Sequence, residues 1–153
     1  MTAPLPPTTP SPKPLPRITP ENREFWDAAR GHELKLQRCA DCGRYRYPPA
    51  SVCPTCLSER AEWTRVSGRG KVTTWVVFHK LYFPSFAGDL PYNVVQVELE
   101  EGPRLTANVV GIANADLRVG MPVEVTFDDV TPEVTLPRFR PAAPDSGRGD
   151  REG

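Results

Sequence analysis

The sequence predicts a small β-rich protein: an N-terminal helix, a zinc ribbon, then a five-stranded OB-fold barrel. Three observations predict it. The four cysteines fall as two CxxC pairs, Cys39-Ala40-Asp41-Cys42 and Cys53-Pro54-Thr55-Cys56. From Val66 to Leu136, short alternating apolar segments are separated by Gly, Pro and Asp turns. Ahead of both, Thr19-Pro20-Glu21 reads as a helix start and Gly31 as its stop.

The cysteines organise the chain. Each CxxC turn points two thiolates at a common centre, and two such knuckles make the tetrahedral S4 set that zinc prefers. With four protein ligands no coordination position stays open, so Cys39, Cys42, Cys53 and Cys56 are assigned to a structural metal. A rubredoxin-type iron site uses similar knuckles and fits the same ligands. Two disulfides would need an oxidising compartment, and no signal peptide is evident at the N-terminus. Gly43 follows the first pair and Leu57 the second, so the two turns are expected to differ.

Composition narrows the function classes. The 153 residues carry 19 basic and 19 acidic side chains, for a formal net charge of zero. Residues 66–130 hold five basic and eight acidic side chains, net −3. Nucleic-acid binders show the opposite excess. No run of 18 or more apolar residues occurs, so no membrane span is predicted. The reading is a soluble, cytoplasmic protein, and near-neutral charge favours association with a partner subunit.

In chain order, residues 1–18 are proline-rich and read as an extended, disordered linker. The helix is expected from about Pro20 to Arg30 within residues 19–33, capped by Thr19, with Phe25, Trp26 and Ala29 as its apolar stripe. Phe25 and Trp26 suit either core packing or a protein interface. Residues 34–65 form the ribbon: Leu34–Arg38 alternates as a strand, Tyr45 and Tyr47 pack around the metal, and Trp63 closes the module. Residues 66–140 supply the barrel. Its strands are expected at Val72–His79, Tyr92–Leu99, around Leu105–Val109, around Val123–Phe127 and at about Val134–Leu136. In the second, Val95, Val97 and Leu99 face inward, the alternation of a half-buried strand. Closure into a barrel removes exposed edges. Residues 141–153 read as a disordered tail.

No catalytic constellation stands alone. The metal takes every cysteine, the only histidines are His32 and His79, and no phosphate-cradling loop exists. The stretch that looks functional is His79–Tyr92, too long and too aromatic for a plain hairpin turn. Tyr82, Phe83 and Phe86 suit a protein partner or a flat apolar ligand, with His79 and Lys80 beside them and Lys80 placed to meet a phosphate; the competing reading is that these aromatics fold back to cap the bottom of the barrel.

The string Leu36-Gln37-Arg38-Cys39-Ala40-Asp41-Cys42-Gly43, the Pro48-Pro49 and Cys53-Pro54-Thr55-Cys56 steps, and Ser67-Gly68-Arg69-Gly70 together resemble a known family. Val97–Leu105 and Val119–Val123 extend the match, which covers about residues 20–140. The family is the acyl-CoA-associated one that joins a rubredoxin-like zinc ribbon to an OB-fold, catalogued as domain of unknown function thirty-five. The resemblance implies a non-catalytic subunit beside a thiolase-fold aldolase or acyltransferase, helping to shape its channel for a coenzyme A ester, the shared substrate. The Phe78–Tyr92 region is similar to versions fused behind a hot-dog-fold hydratase in bacterial steroid side-chain degradation. There the partner cleaves a β-hydroxyacyl-CoA by retro-aldol chemistry to propionyl-CoA and a steroid ketone. By analogy, two copies of each chain are expected, with residues 1–18 as the linker to such a hydratase. A single-stranded nucleic-acid-binding module is the alternative, favoured by the aromatics but not by the charge. An independent enzyme using His79 is a further one.

Overall fold

The computed structural model describes residues 13–142; residues 1–12 of the proline-rich segment and 143–153 of the tail lie outside it. Ten residues past Lys13, the chain forms helix α1, Arg23–Arg30. This is three residues later than Thr19-Pro20 suggests, and the reason is local. Asn22 Oδ1 accepts the Thr19 N–H at 2.7 Å, and Asn22 Nδ2 donates to the Arg17 carbonyl at 3.1 Å. Thr19–Asn22 is thereby a turn, and the helix begins once it is complete. Phe25 and Ala29 are the buried positions of α1, one helical turn apart.

The ribbon is a three-stranded antiparallel sheet in the order β2-β1-β3. Its strands are β1 (Lys35–Cys39), β2 (Tyr45–Arg46) and β3 (Ala61–Arg65). β1 runs into the first knuckle, and Trp63 sits opposite Gln37 on β3.

The barrel sheet has the order β6-β5-β4-β7-β8, every pairing antiparallel. Its strands are β4 (Arg69–Phe78), β5 (Tyr92–Leu99), β6 (Arg104–Ala107), β7 (Pro122–Asp129) and β8 (Thr135–Pro141). β5 alternates without a break: Asn93, Val95, Val97 and Leu99 are buried and their neighbours half-buried. The sheet curls until its outer strands meet. Phe139 on β8 bridges Val109 in parallel, with the Phe139 N–H donating to the Asn108 carbonyl at 2.9 Å and Val110 N–H to the Phe139 carbonyl at 2.8 Å. Buried Asn93 completes the seam, exchanging two 2.8 Å bonds with the backbone of Val109. A curled five-stranded sheet closed in this way is the OB-fold.

β8 is longer than the sequence suggests, because Pro137 and Pro141 argue against a strand. Phe139 directs its N–H and carbonyl at the closing edge, and residues two away on either side face the same edge. No ladder bonds are made there at 137 and 141, so a missing N–H costs little.

One core joins the modules. Phe25 of α1 and Leu34 and Leu36 of the ribbon are packed with Val72, Val95, Val97, Leu105, Val123 and Phe139 of the barrel.

Candidate functional site

The two knuckles bring the four cysteine sulfurs within 4.8 Å of one another. Cys39 Sγ lies 3.5 Å from Cys56 Sγ, and Cys42 Sγ lies 3.7 Å from Cys53 Sγ. These separations are far beyond a disulfide's length of about 2.05 Å. They match the roughly 3.8 Å edge of a tetrahedron whose Zn–S bonds are about 2.3 Å. The donor set therefore fits a structural zinc. A zinc bound there would cross-link four points of the chain and offer no open position for catalysis.

The turns that aim the sulfurs are equivalent, contrary to the expectation drawn from Gly43 and Leu57. Gly43 has φ of +77° and Leu57 of +63°. In each knuckle the residue after the second cysteine donates its N–H to the first cysteine's carbonyl, at 3.0 and 2.9 Å. The N–H of the first cysteine is itself tied down, Cys39 to the Arg44 carbonyl at 2.8 Å and Cys53 to that of Ser58 at 2.9 Å. Leucine is held in a left-handed conformation because the knuckle's bonds determine it.

Backbone N–H groups pointing at sulfur stabilise thiolate. Those of Cys56 and Thr55 lower the Cys53 thiol to about 6. That of Cys42 likewise lowers Cys39. The Ser58 N–H lowers Cys56, but the neighbouring Cys39 sulfur and burial outweigh it and push Cys56 up to about 12. Four thiolates this close need a cation among them.

A polar clamp joins the knuckles that the sequence reading did not pick out. Asp41, inside the first CxxC, accepts from the Ser58 hydroxyl and the Arg60 guanidinium, both just past the second. The Arg60 hydrogen bond, then that of Ser58, holds the Asp41 carboxyl below its usual range. The signal was an acid between the first two cysteines and a hydroxyl and a base after the last two.

The other sequence candidates separate into two groups. Phe25 is 3% exposed and forms a T-shaped pair with Trp26 at 5.0 Å, so its side chain belongs to the core. Trp26 is half-buried and packs against that core. Tyr47 turns to Phe25, 5.4 Å away between ring centres, and Tyr45 lies under the Arg38 guanidinium at 5.5 Å. Both tyrosines are partly buried against the core cluster.

The second group is the loop beyond β4. It folds around a 3-10 helix, Pro84–Asp89. Phe78 and Tyr92 stack at its base with centroids 5.1 Å apart, Phe86 packs on Tyr92 at 5.5 Å, and Phe83 on Phe86 at 6.1 Å. Tyr82 and Phe83 remain 61% and 52% exposed. Lys80 stands over the Tyr82 ring at 5.3 Å, and His79 is exposed next to it. Behind the loop, an open cleft of about 990 Å³ is lined by Phe86, Tyr92, Asn114, Phe127 and Arg138 among others.

Residues 26–62 match the model of the ChsH2 rubredoxin-like zinc ribbon domain, and residues 63–128 that of the ChsH2 C-terminal OB-fold domain. A solved structure titled Ltp2-ChsH2(DUF35) aldolase superposes with a TM-score of 0.77 at 41% identity, covering 84% of this chain and 100% of that one. The chain belongs to the DUF35 family. Another member, a thiolase subunit named BbsA from Thauera aromatica that acts on benzoylsuccinyl-CoA by its name, is 32% identical over 66% of this chain and 67% of its own.

Two longer relatives are named as hydratase alpha subunits. A probable enoyl-CoA hydratase alpha subunit of Thermomonospora curvata is 42% identical over 86% of this chain. A 3-oxo-4,17-pregnadiene-20-carboxyl-CoA hydratase alpha subunit of Mycobacterium tuberculosis is 37% identical over 76%. The DUF35 chain spans only 41% and 36% of their lengths. Among the described residues, no helix is long and apolar enough to cross a membrane.

Proposed function

We propose that this chain is a non-catalytic subunit that binds a thiolase-fold partner and helps form its acyl-CoA channel. The reaction assigned to the pair is retro-aldol cleavage of a steroid side-chain β-hydroxyacyl-CoA. A base on the partner takes the β-hydroxyl proton, the bond between the α and β carbons breaks, and its electrons pass to the thioester as an enolate. Protonation of the enolate gives propionyl-CoA, and the β carbon leaves as the steroid ketone.

The observation that carries the reading is the likeness, at 41% identity, to the whole of a chain from an aldolase assembly. The names of the thiolase subunit and of the pregnadiene-carboxyl-CoA hydratase subunit add a thiolase-type partner and a steroid thioester. In this reading Cys39, Cys42, Cys53 and Cys56 hold a structural zinc that fixes the ribbon, and the acid and base groups belong to the partner.

The test is a tagged purification from the native host with mass spectrometry of what co-elutes. A thiolase-fold protein recovered in equal amount supports the reading. The pair should then cleave the steroid β-hydroxyacyl-CoA while neither chain does so alone. Elution of this chain by itself, or cleavage by the partner alone at the full rate, refutes it.

A further inference from the structure

β4 is paired along both edges for only part of its length. β5 lies against it from Gly70 to Phe78, whereas β7 pairs only with Arg69, Gly70 and Lys71. Val72 still exchanges backbone bonds with Gly120 and Met121. The register then shifts at a bulge between Val72 and Thr74. That bulge lies in the ladder with β5, which resumes at Thr74 and runs to Phe78; a bulge bends its strand and increases its twist. From Thr73 to Phe78 the far edge meets no strand among the described residues.

That edge lacks the protections usual for an open strand. Natural edges carry charges or proline, or are very short. The free edge of β3 follows the rule, with Glu62 and Arg65 in its five residues. Thr73-Thr74-Trp75-Val76-Val77-Phe78 has neither charge nor proline. Beyond exposed Thr74 its outer face is apolar: Val76 is 56% exposed and pairs with Val94, Tyr82 packs edge-on against Phe78, and Phe83 reaches the Phe78–Tyr92 stack through Phe86.

We propose that the free edge of β4 is where an extended segment of the partner chain adds a strand to the barrel sheet. This rests on the subunit reading above. The flanking residues 1–12 and 143–153 do not suit the edge. Residues 1–12 have proline at positions 4, 6, 7, 10 and 12, each without a ladder donor, and residues 143–153 contain no β-branched or aromatic side chain. A second copy pairing antiparallel would bring the Lys71 end of one β4 against the Lys80 end of the other, a like-charge juxtaposition. The segment that fits alternates apolar residues over Val76 and carries a carboxylate where it passes Lys80. Main-chain bonds would supply affinity and Val76, Tyr82 and Phe83 the specificity.

Hydrogen exchange on the purified complex with the co-eluting thiolase-fold protein tests this. In the free chain, amides of residues 73–78 that face the open edge exchange quickly; in the complex they slow at least tenfold. Val76→Lys, at an exposed position, weakens the complex tenfold or more, while Leu57→Lys, 74% exposed on the second knuckle, leaves it intact. A stable complex with unchanged exchange at 73–78 overturns the docking edge and leaves the subunit reading standing. Protection that instead appears in the chain alone as its concentration rises assigns the edge to a second copy and overturns the proposal. Failure of any thiolase-fold protein to bind removes both.

Discussion

At the scale of single residues, Leu57 is the position where local chemistry and fold disagree. An L-residue in the left-handed region costs about 1 to 2 kcal/mol, and glycine avoids it. Leu57 is 74% exposed, so removing its side chain forfeits little packing. Leu57→Gly is therefore expected to raise stability by about 0.5 kcal/mol after glycine's greater unfolded-state entropy is subtracted. Gly43→Ala acts oppositely and lowers it by about 1 kcal/mol. A Cβ at Gly43 meets nothing nearer than the Arg38 guanidinium at 3.7 Å, so that cost is conformational. Urea titrations of the zinc-loaded variants read both. A second residue-level effect is electrostatic. His32 lies flat on Phe127, centroids 5.2 Å apart, and its Nε2 meets the Asp129 carboxylate at 2.9 Å. The Thr135 hydroxyl, then His32, lowers the Asp129 carboxyl below its usual range. A depressed acid stabilises the fold above its unfolded value near about 4, and that contribution fades as pH falls through the lower folded value. Asp129→Asn should reduce stability at neutral pH and flatten the acid limb of a Tm-against-pH curve; an unchanged acid limb would remove Asp129 from the acid response.

At the scale of elements, β4 shows what patterning conveys and what it hides. The alternation of Val95, Val97 and Leu99 was legible on β5 because one face is buried and the period is two. The bulge at Thr73 was not legible, since an extra residue in one strand leaves no mark without its partner's register. Nor did the sequence disclose that Arg69 and Gly70 already belong to the strand, or why a glycine stands there. Here β4 lies close against β5: a Cβ on Gly70 would stand 2.4 Å from the Glu98 carbonyl oxygen and 2.8 Å from Val97 Cγ1. Backbone cannot yield as a flexible side chain does, so Gly70→Ala should cost about 2 kcal/mol or more, read as a shift of the denaturation midpoint. The metal ligands were legible outright from CxxC spacing. The Asp41 clamp left only a signal, an acid inside one knuckle and a hydroxyl and a base after the other, which the folded ribbon turns into contacts with Ser58 and Arg60. Phe25 and Trp26 were ambiguous for a related reason, as an apolar stripe is the same whether it faces a core or a partner.

At the scale of the whole molecule, the ribbon and barrel are distinct in pairing yet continuous in packing. No strand of β2-β1-β3 bonds to the barrel sheet. Leu34 is 2% exposed and Leu36 1%, however, and both belong to the cluster that contains Val97, Leu105 and Phe139. Val66, the first residue after β3, also donates its N–H to the Leu34 carbonyl at 2.9 Å and lies in the same cluster. If zinc holds the knuckles, its removal frees β1, which carries Leu34 and Leu36 on and beside it, and exposes the barrel residues they cover. Chelation should then lower the melting temperature of the entire protein in one transition. Tryptophan fluorescence from Trp63 on β3 and Trp75 on β4 would report the same midpoint, before and after metal removal. Cys39→Ser should reproduce the shift without chelator, because it deletes a buried ligand at the end of β1. A ribbon that melts separately, leaving the far-ultraviolet signature and midpoint of the barrel unchanged, would mean that the shared core contributes little and that the two modules are merely adjacent.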